Sequence, residues 1–66
     1  MWIVDKTQEI SRINLDNYQN YSQYDNREIQ FEGIYTYSEV TWFYRSKKAR
    51  NAALAKIDEL LEVKSI

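Results

Sequence analysis

Four of the six residues from position 45 to position 50 are basic, and this run is the strongest chemical signal in the sequence. It reads Arg45-Ser46-Lys47-Lys48-Ala49-Arg50 and opens a predicted helix. Cations are unfavourable at a helix N-terminus, where the macrodipole is positive, so helix stability gives no reason for them. Main-chain amides at such an end combine with basic side chains into an anion or phosphate site. The run therefore predicts a partner- or phosphate-binding role for Arg45, Lys47, Lys48 and Arg50.

Three interpretations of this basic run stay open. One is a surface that contacts an acidic protein. Another is contact with nucleic-acid phosphates, although the six bases of residues 45–66 are few for autonomous binding and the acidic remainder of the chain opposes it. The third is a solvated basic turn whose charges pair with acids on the strands, such as Glu28, Glu32 and Glu39.

Carboxylates are the only groups here that point to acid–base catalysis. The chain has no His and no Cys, which excludes zinc fingers, thiol nucleophiles and a Ser-His-Asp triad. No pair of carboxylates with a pocket between them can be identified, and no phosphate-binding loop is present. We therefore expect no enzymatic activity, no cofactor and no metal site. The carboxylates of the first two thirds are scattered over turns and outer strand positions: Asp5, Glu9, Asp16, Asp25, Glu28, Glu32 and Glu39.

Aromatic residues are numerous for a chain of 66 residues: two Trp, six Tyr and two Phe. A small sheet covered by one helix buries only one face well, and the expected core aromatics are Phe31, Trp42 and Tyr44. The surplus is expected at the opposite face or the edge of the sheet, where Tyr and Trp favour protein contacts. The alternative is that these rings lie over a small core. The expected aromatic interface comprises Tyr18, Tyr21, Tyr24, Tyr35, Tyr37 and Phe43.

The basic, acidic and aromatic side chains above must be positioned by secondary-structure elements, and the first of these along the chain are strands. Residues 2–4 and 10–15 indicate short strands, the second with Ile13 and Leu15 inward. Residues 28–32 alternate cleanly, with Ile29 and Phe31 on one face, and residues 39–44 form another strong strand pattern. Residues 17–26 are ambiguous because three tyrosines recur at a spacing of three. A strand with a bulge would place two of them on one face, and a polar loop is the alternative.

The spacing of the hydrophobic residues changes after residue 45 from the alternation of a strand to the period of a helix. Residues 46–62 read as a helix with Ser46 as its N-cap. Its apolar stripe at i, i+3, i+4 spacing comprises Ala49, Ala53, Ile57, Leu60 and Leu61, with Leu54 at its margin. Strands followed by one helix predict an α+β fold. We expect a single domain over residues 1–66, an antiparallel meander of three to five strands with one C-terminal helix packed on one face.

Charge is distributed unevenly along the chain. Residues 1–44 carry three bases against seven acids, a net charge of −4, whereas residues 45–66 carry six bases against three acids, a net charge of +3. Such a dipole favours self-association or docking in a fixed orientation. The absence of Cys is typical of a cytoplasmic protein. No signal peptide and no membrane span are expected, and Met1 is expected to be the native start of a complete small protein.

Three segments carry a resemblance that spans most of the chain. They are Ile13-Asn14-Leu15-Asp16-Asn17, then Glu28-Ile29-Gln30-Phe31, then Val40-Thr41-Trp42-Phe43-Tyr44 followed by Ser46 and the helix. In this order of strands, turn and helix the chain resembles small proteins of phages and mobile elements of Gram-positive bacteria. Several of these are anti-defence inhibitors, including anti-CRISPR proteins, and many act as homodimers. The resemblance implies a protein partner and, for a phage-encoded protein, the host cytoplasm, but it assigns no functional residue.

Three functional hypotheses follow from the sequence, of which the last is a structural accessory domain with no separable activity. The first is a non-enzymatic, homodimeric binding protein that inhibits or regulates a larger protein. The second is a small nucleic-acid-binding regulator that uses the basic start of the helix, with an affinity that falls as salt rises.

Overall fold

The computed structural model describes residues 1–8, 12–34 and 39–66. Its elements follow the order expected from the sequence, with strands first and one helix last. In chain order they are β1 (Trp2–Val4), β2 (Arg12–Asn14), a 3₁₀ helix (Leu15–Asn17), β3 (Tyr18–Tyr24), β4 (Glu28–Gly33), β5 (Glu39–Phe43) and α1 (Lys47–Leu60).

The strands form two antiparallel sheets. β1 pairs with β2, and β3, β4 and β5 form a three-stranded meander in which β4 is central. With α1 packed against β4, this confirms the α+β fold and the C-terminal helix. The predicted meander is divided between the two sheets, because β2 leads through the 3₁₀ helix into β3 without pairing to it. Of the predicted strand over residues 10–15, only positions 12–14 are strand, and Ile10 and Ser11 lie outside the described residues.

The core lies between the three-stranded sheet, the β1–β2 hairpin and α1. Alternation on β4 turns Ile29 and Phe31 inward, and both side chains are completely buried. The rings of Phe31 and Trp42 meet edge to face, with centroids 4.9 Å apart. These two of the three expected core aromatics are confirmed, whereas the third, Tyr44, is only partly buried against the core. The buried hydrophobic residues are Ile3, Ile13, Ile29, Phe31, Trp42 and Ile57.

β3 settles the ambiguous stretch as a strand with a bulge. Its register against β4 shifts between Tyr18 and Asn20. The extra residue brings Tyr18 and Tyr21 to the same face despite their odd spacing. Both rings pack against Phe31, with centroid distances of 6.0 and 6.2 Å. β3 therefore covers the core with aromatic rings and turns Asn20, Ser22 and Tyr24 to the outer face.

The apolar stripe of α1 is shorter than the sequence predicts. Ile57 is buried and Ala53 and Leu54 pack partly against the core, whereas Leu60 and Leu61 are exposed. The helix begins at the predicted position, because the Ser46 hydroxyl accepts a hydrogen bond of 3.0 Å from the Ala49 amide. It ends at Leu60, with Leu61 as its C-cap.

Candidate functional site

The basic run divides into one structural residue and three exposed ones. Arg45, Lys47 and Lys48 are exposed, but only 1% of the Arg50 surface is accessible. Assigning Arg50 to a binding surface was therefore wrong. Position 50 lies three, four and seven residues before Ala53, Leu54 and Ile57, and this spacing places it on the sheet-facing side of α1. That spacing was the signal in the sequence, and the expected stripe did not include the arginine.

The buried guanidinium of Arg50 fastens α1 to the turn between β3 and β4. Its Nη1 donates to the main-chain carbonyls of Asp25 and Glu28 at 3.2 and 3.0 Å. Its Nε donates to the side chain of Asn51 at 2.8 Å. Because these contacts hold the first turns of the helix beside the hairpin turn, Arg45, Lys47 and Lys48 lie at the same end of the sheet as that turn.

The exposed cations are not neutralised by strand acids. Within residues 1–8, 12–34 and 39–66, the one ion pair joins the N-terminal ammonium group to Asp16 at 3.1 Å. The predicted pairing of the basic run with Glu28, Glu32 or Glu39 is therefore not found in the described part of the chain. The first turn of α1 also contains no acidic residue. Three cations thus stand in solvent at the positive end of a helix dipole.

The predicted aromatic interface also divides. Tyr18 and Tyr21 belong to the core side of β3, which corrects their expected place on an exposed face. Tyr24 and Phe43 are exposed, Phe43 by 63%. Tyr35 and Tyr37 lie outside the described residues.

Tyr24 and Phe43 share one face of the sheet. Both are register partners of Glu28, which lies between them on the central strand, and cross-strand partners project from the same face. Phe43 also lines an open hollow of about 380 Å³ beside the hairpin turn, together with Asp25, Asn26, Arg27, Glu28 and Tyr44. We call the surface made by Tyr24, Phe43, Arg45, Lys47 and Lys48 the hairpin-end surface.

Two tyrosine–carboxylate contacts, which the sequence did not indicate, join the layers. The Tyr44 hydroxyl donates to Asp5 at 2.5 Å, and the Tyr21 hydroxyl donates to Asp58 on α1 at 2.7 Å. Burial and the Asp58 carboxylate raise the pKa of Tyr21 to about 12. Burial and the Asp5 carboxylate raise the pKa of Tyr44 still further. These hydroxyls stay protonated at neutral pH, so they act as structural donors.

The pKa of Asp5 lies below its usual value. Burial alone would raise it, but hydrogen bonds from Thr7 and Tyr44 favour the ionised form and outweigh burial. Asp5 is therefore a fixed acceptor with two structural donors. Among the described residues, no three Asp, Glu, His or Cys side chains are grouped so that they could hold a metal ion.

The hairpin-end surface offers three exposed cations and two exposed rings, a combination that suits an acidic surface with apolar patches. Comparisons with protein-family models, with curated proteins and with solved structures found no match to this chain. No helix in the described part of the chain is long and apolar enough to cross a membrane.

Proposed function

We propose that this protein is a non-enzymatic binding protein that inhibits or regulates a larger protein, and that it docks through the hairpin-end surface. The observation that carries the proposal is the exposure of Phe43 at the same end of the sheet as Arg45, Lys47 and Lys48, with no acid of the described residues paired to these cations. An exposed aromatic ring and several cations at one end of a sheet have the composition of a binding hot spot and its charged rim.

The position of the cations supports a role outside folding. Each cation near the N-terminus of a helix, which is the positive end of the helix dipole, lowers helix stability by some tenths of a kcal/mol. The buried hydrogen bonds of Arg50 offset this loss of stability for Arg50 itself. No such contacts are made by Arg45, Lys47 and Lys48 among the described residues. An acidic partner would supply the missing counter-charges.

A protein partner fits the site better than nucleic acid does. Glu28 lies between Tyr24 and Phe43 on the same face. A phosphate backbone is negative along its whole length and would be repelled there, whereas a protein surface can place a neutral or basic group opposite Glu28 and its acids opposite the cations. The rest of the chain is acidic, and the net charge is −1, which also opposes binding to a polyanion. The nucleic-acid regulator therefore stays the second candidate, supported by the exposed cations at a helix N-terminus.

The resemblance to small phage proteins supports the inhibitor within this class. It implies a phage-encoded chain that works in the host cytoplasm as a homodimer. Association would stabilise a chain of 66 residues, because a single core of this size contributes only about 3–5 kcal/mol to the free energy of unfolding.

The test compares two triple charge reversals with the same change in net charge. One is Arg45→Glu/Lys47→Glu/Lys48→Glu on the hairpin-end surface, and the matched control is Lys6→Glu/Lys56→Glu/Lys64→Glu at other exposed positions. Each is used as bait in lysate beside the wild type. We expect the first variant to lose a protein that the wild type and the control retain.

The remaining results of this experiment decide between the alternatives. Retention of every captured protein by the first variant would contradict the proposed surface. Equal loss by the control would show that only net charge matters. A shift of labelled duplex DNA or RNA at low salt, with log affinity falling linearly against log salt, would favour the nucleic-acid regulator.

A further inference from the structure

The outer edge of β3 is a second exposed surface, separate from the hairpin-end surface. β3 is the longest strand that the structure describes, and it lies at the end of the order β3-β4-β5. Within the described residues only β4 pairs with it. Its side chains from Ser22 to Tyr24 are all exposed. Such an edge presents a row of main-chain donors and acceptors to whatever strand can reach it.

The register identifies which main-chain groups point outward. The Tyr44 amide donates to the Arg27 carbonyl at 2.9 Å, so odd-numbered positions of β4 face β5 and even-numbered positions face β3. Because pairs in an antiparallel ladder alternate, the β3 residues Asn20, Ser22 and Tyr24 bond to β4. The N–H and C=O groups of Tyr21 and Gln23 therefore point away from the sheet.

At the opposite edge of the same sheet, a side chain occupies the outward main-chain groups of β5. There the Gln8 side chain accepts from the Phe43 amide at 3.1 Å and donates to the Phe43 carbonyl at 2.7 Å. This amide occupies outward groups of β5 as a neighbouring strand would. In the described residues no side chain does the same for Tyr21 or Gln23 of β3.

The sequence of β3 also lacks the usual protection of an edge. Residues 17–24 contain no charge and no proline, although charged residues make up 29% of the chain. Natural edge strands are commonly blunted by lysine, proline or a bulge. The bulge of β3 lies at its beginning, between Tyr18 and Asn20, and leaves residues 20–24 regular.

We propose that this edge pairs with the same edge of a second copy of the chain, antiparallel and about a two-fold axis at Ser22. Tyr21 then lies opposite the partner's Gln23, and the two residues exchange both main-chain hydrogen bonds. The symmetry repeats this pair on the other side of the axis. The two three-stranded sheets become one continuous sheet, and the outward groups of Tyr21 and Gln23 are all used.

A second copy fits this edge because the strand is its own complement. The axis places Ser22 opposite the partner's Ser22 and Asn20 opposite the partner's Tyr24, so no like charges meet. Each of these pairs projects from one face, since positions 20, 22 and 24 share the outer face of β3. An isologous contact of this kind is the ordinary way in which two identical chains associate.

This inference rests on the homodimer included in the proposed function and gives that homodimer an interface. It does not depend on the hairpin-end surface, because its test measures association of the pure protein and not capture of another protein. The charge reversals at residues 45, 47 and 48 are expected to leave the dimer intact. Failure of either proposal can thus be distinguished from failure of the other.

The first test places like charges on the axis. Ser22→Lys puts two cations directly opposite each other, and we expect a rise of roughly tenfold or more in the dissociation constant of the dimer. Thr41→Lys is the matched control, since Thr41 lies in the same row of the outer face, two strands away. Sedimentation equilibrium measures both, with circular dichroism to verify folding. A dimer that survives Ser22→Lys would overturn the proposal, as would a wild type that stays monomeric at about 100 μM.

The second test gives a positive signal that does not depend on weakening the dimer. The chain has no Cys, so Ser22→Cys introduces one thiol, which meets its symmetry mate across the axis at a distance suited to a disulfide. Under mild oxidation we expect covalent dimers to form rapidly with Ser22→Cys and slowly with Thr41→Cys. Equal rates for the two variants would overturn the proposed register.

Discussion

The guanidinium of Arg50 donates a hydrogen bond of 3.0 Å to the main-chain carbonyl of Glu28, not to its carboxylate. Every hydrogen bond of Arg50 in the described residues ends on an uncharged oxygen. A cation buried to 1% accessibility therefore depends on carbonyl dipoles to replace its hydration. These hydrogen bonds hold the start of α1 against the turn between β3 and β4, and so keep the exposed cations at the same end of the sheet as Tyr24 and Phe43.

Replacing Arg50 should be costly for stability. Arg50→Met keeps much of the side-chain volume but removes the hydrogen bonds that the guanidinium donates to the carbonyls of Asp25 and Glu28. We expect a loss of about 2–4 kcal/mol in the free energy of unfolding, measured by urea denaturation with Trp fluorescence. Lys48→Met removes an exposed charge and should change stability by less than about 0.5 kcal/mol. If Arg50→Met is too unstable to measure, Asn51→Ala removes one acceptor and should cost about 1 kcal/mol. Equal effects at positions 48 and 50 would contradict the role assigned to Arg50.

Hydrophobic periodicity was enough to predict the central strands and the helix. Ile29 and Phe31 alternate with polar residues, which is the pattern of a strand with one wet face, and the structure buries both completely. Ser46 marked the start of α1 because its hydroxyl can satisfy a free amide of the first turn. In both cases the residue that the local sequence pattern favours is also the residue that the fold requires at that position.

The divided roles of the candidate site could not be predicted in the same way. A tyrosine every third residue fits a bulged strand or a loop, and only the register against β4 shows that Tyr18 and Tyr21 face the core. Arg50 had the spacing of a buried residue and the charge of an exposed one. Its burial depends on carbonyls of the hairpin turn, more than twenty residues earlier in the chain, which helix periodicity alone does not reveal.

The Gln8 amide should protect the edge of β5. Gln8→Glu keeps the shape and the acceptor for the Phe43 amide, but it loses the donor and repels the Phe43 carbonyl. We expect a loss of about 1 kcal/mol and a roughly fivefold or larger rise in the exchange rate of the Phe43 amide. Hydrogen exchange followed by NMR measures this rate. Gln23→Glu makes the same change on β3 and should leave Phe43 unchanged; acceleration by both variants would contradict a local effect.

The Tyr44–Asp5 contact should make stability depend on pH in a defined direction. The folded state raises the pKa of Tyr44 and of Tyr21, the latter to about 12. Their stabilisation is therefore complete below the unfolded value of 10.0 and is lost as the pH rises through the folded values. The pKa of Asp5 is lowered from 3.8, so its contribution is present above that value and is lost as the pH falls further.

Tyr44→Phe tests this linkage. At neutral pH the variant should be less stable than the wild type by about 1–2 kcal/mol, because the hydrogen bond to a carboxylate is lost. The difference in stability between the two proteins should shrink as the pH rises above about 10. Above that pH the hydroxyl of Tyr44 ionises in the unfolded wild type but not in the folded one, which favours unfolding, and the variant has no such hydroxyl. NMR titration should also show the pKa of Asp5 moving upward. Tyr24→Phe, at an exposed ring, is the control, and a difference that grows with pH would contradict the assignment.

The end of α1 contains a residue in an unfavourable conformation. Glu62 has φ of 54°, in the left-handed region that favours glycine. The Val63 amide donates to the Asp58 carbonyl at 2.9 Å, and the Glu62 amide donates to the Glu59 carbonyl at 3.2 Å. These two bonds form a Schellman motif, in which glycine is the usual residue at the position of Glu62.

Glu62→Gly should therefore stabilise the protein. Glycine reaches positive φ without the steric cost of a Cβ atom, and this gain exceeds the greater freedom that glycine has in the unfolded chain. Glu62→Ala is the matched control, because it loses the same charge but keeps the Cβ atom. We expect the glycine variant to be more stable than the alanine variant by about 1 kcal/mol in urea denaturation. An alanine variant as stable as the glycine variant would show that the Cβ atom at this position carries no strain.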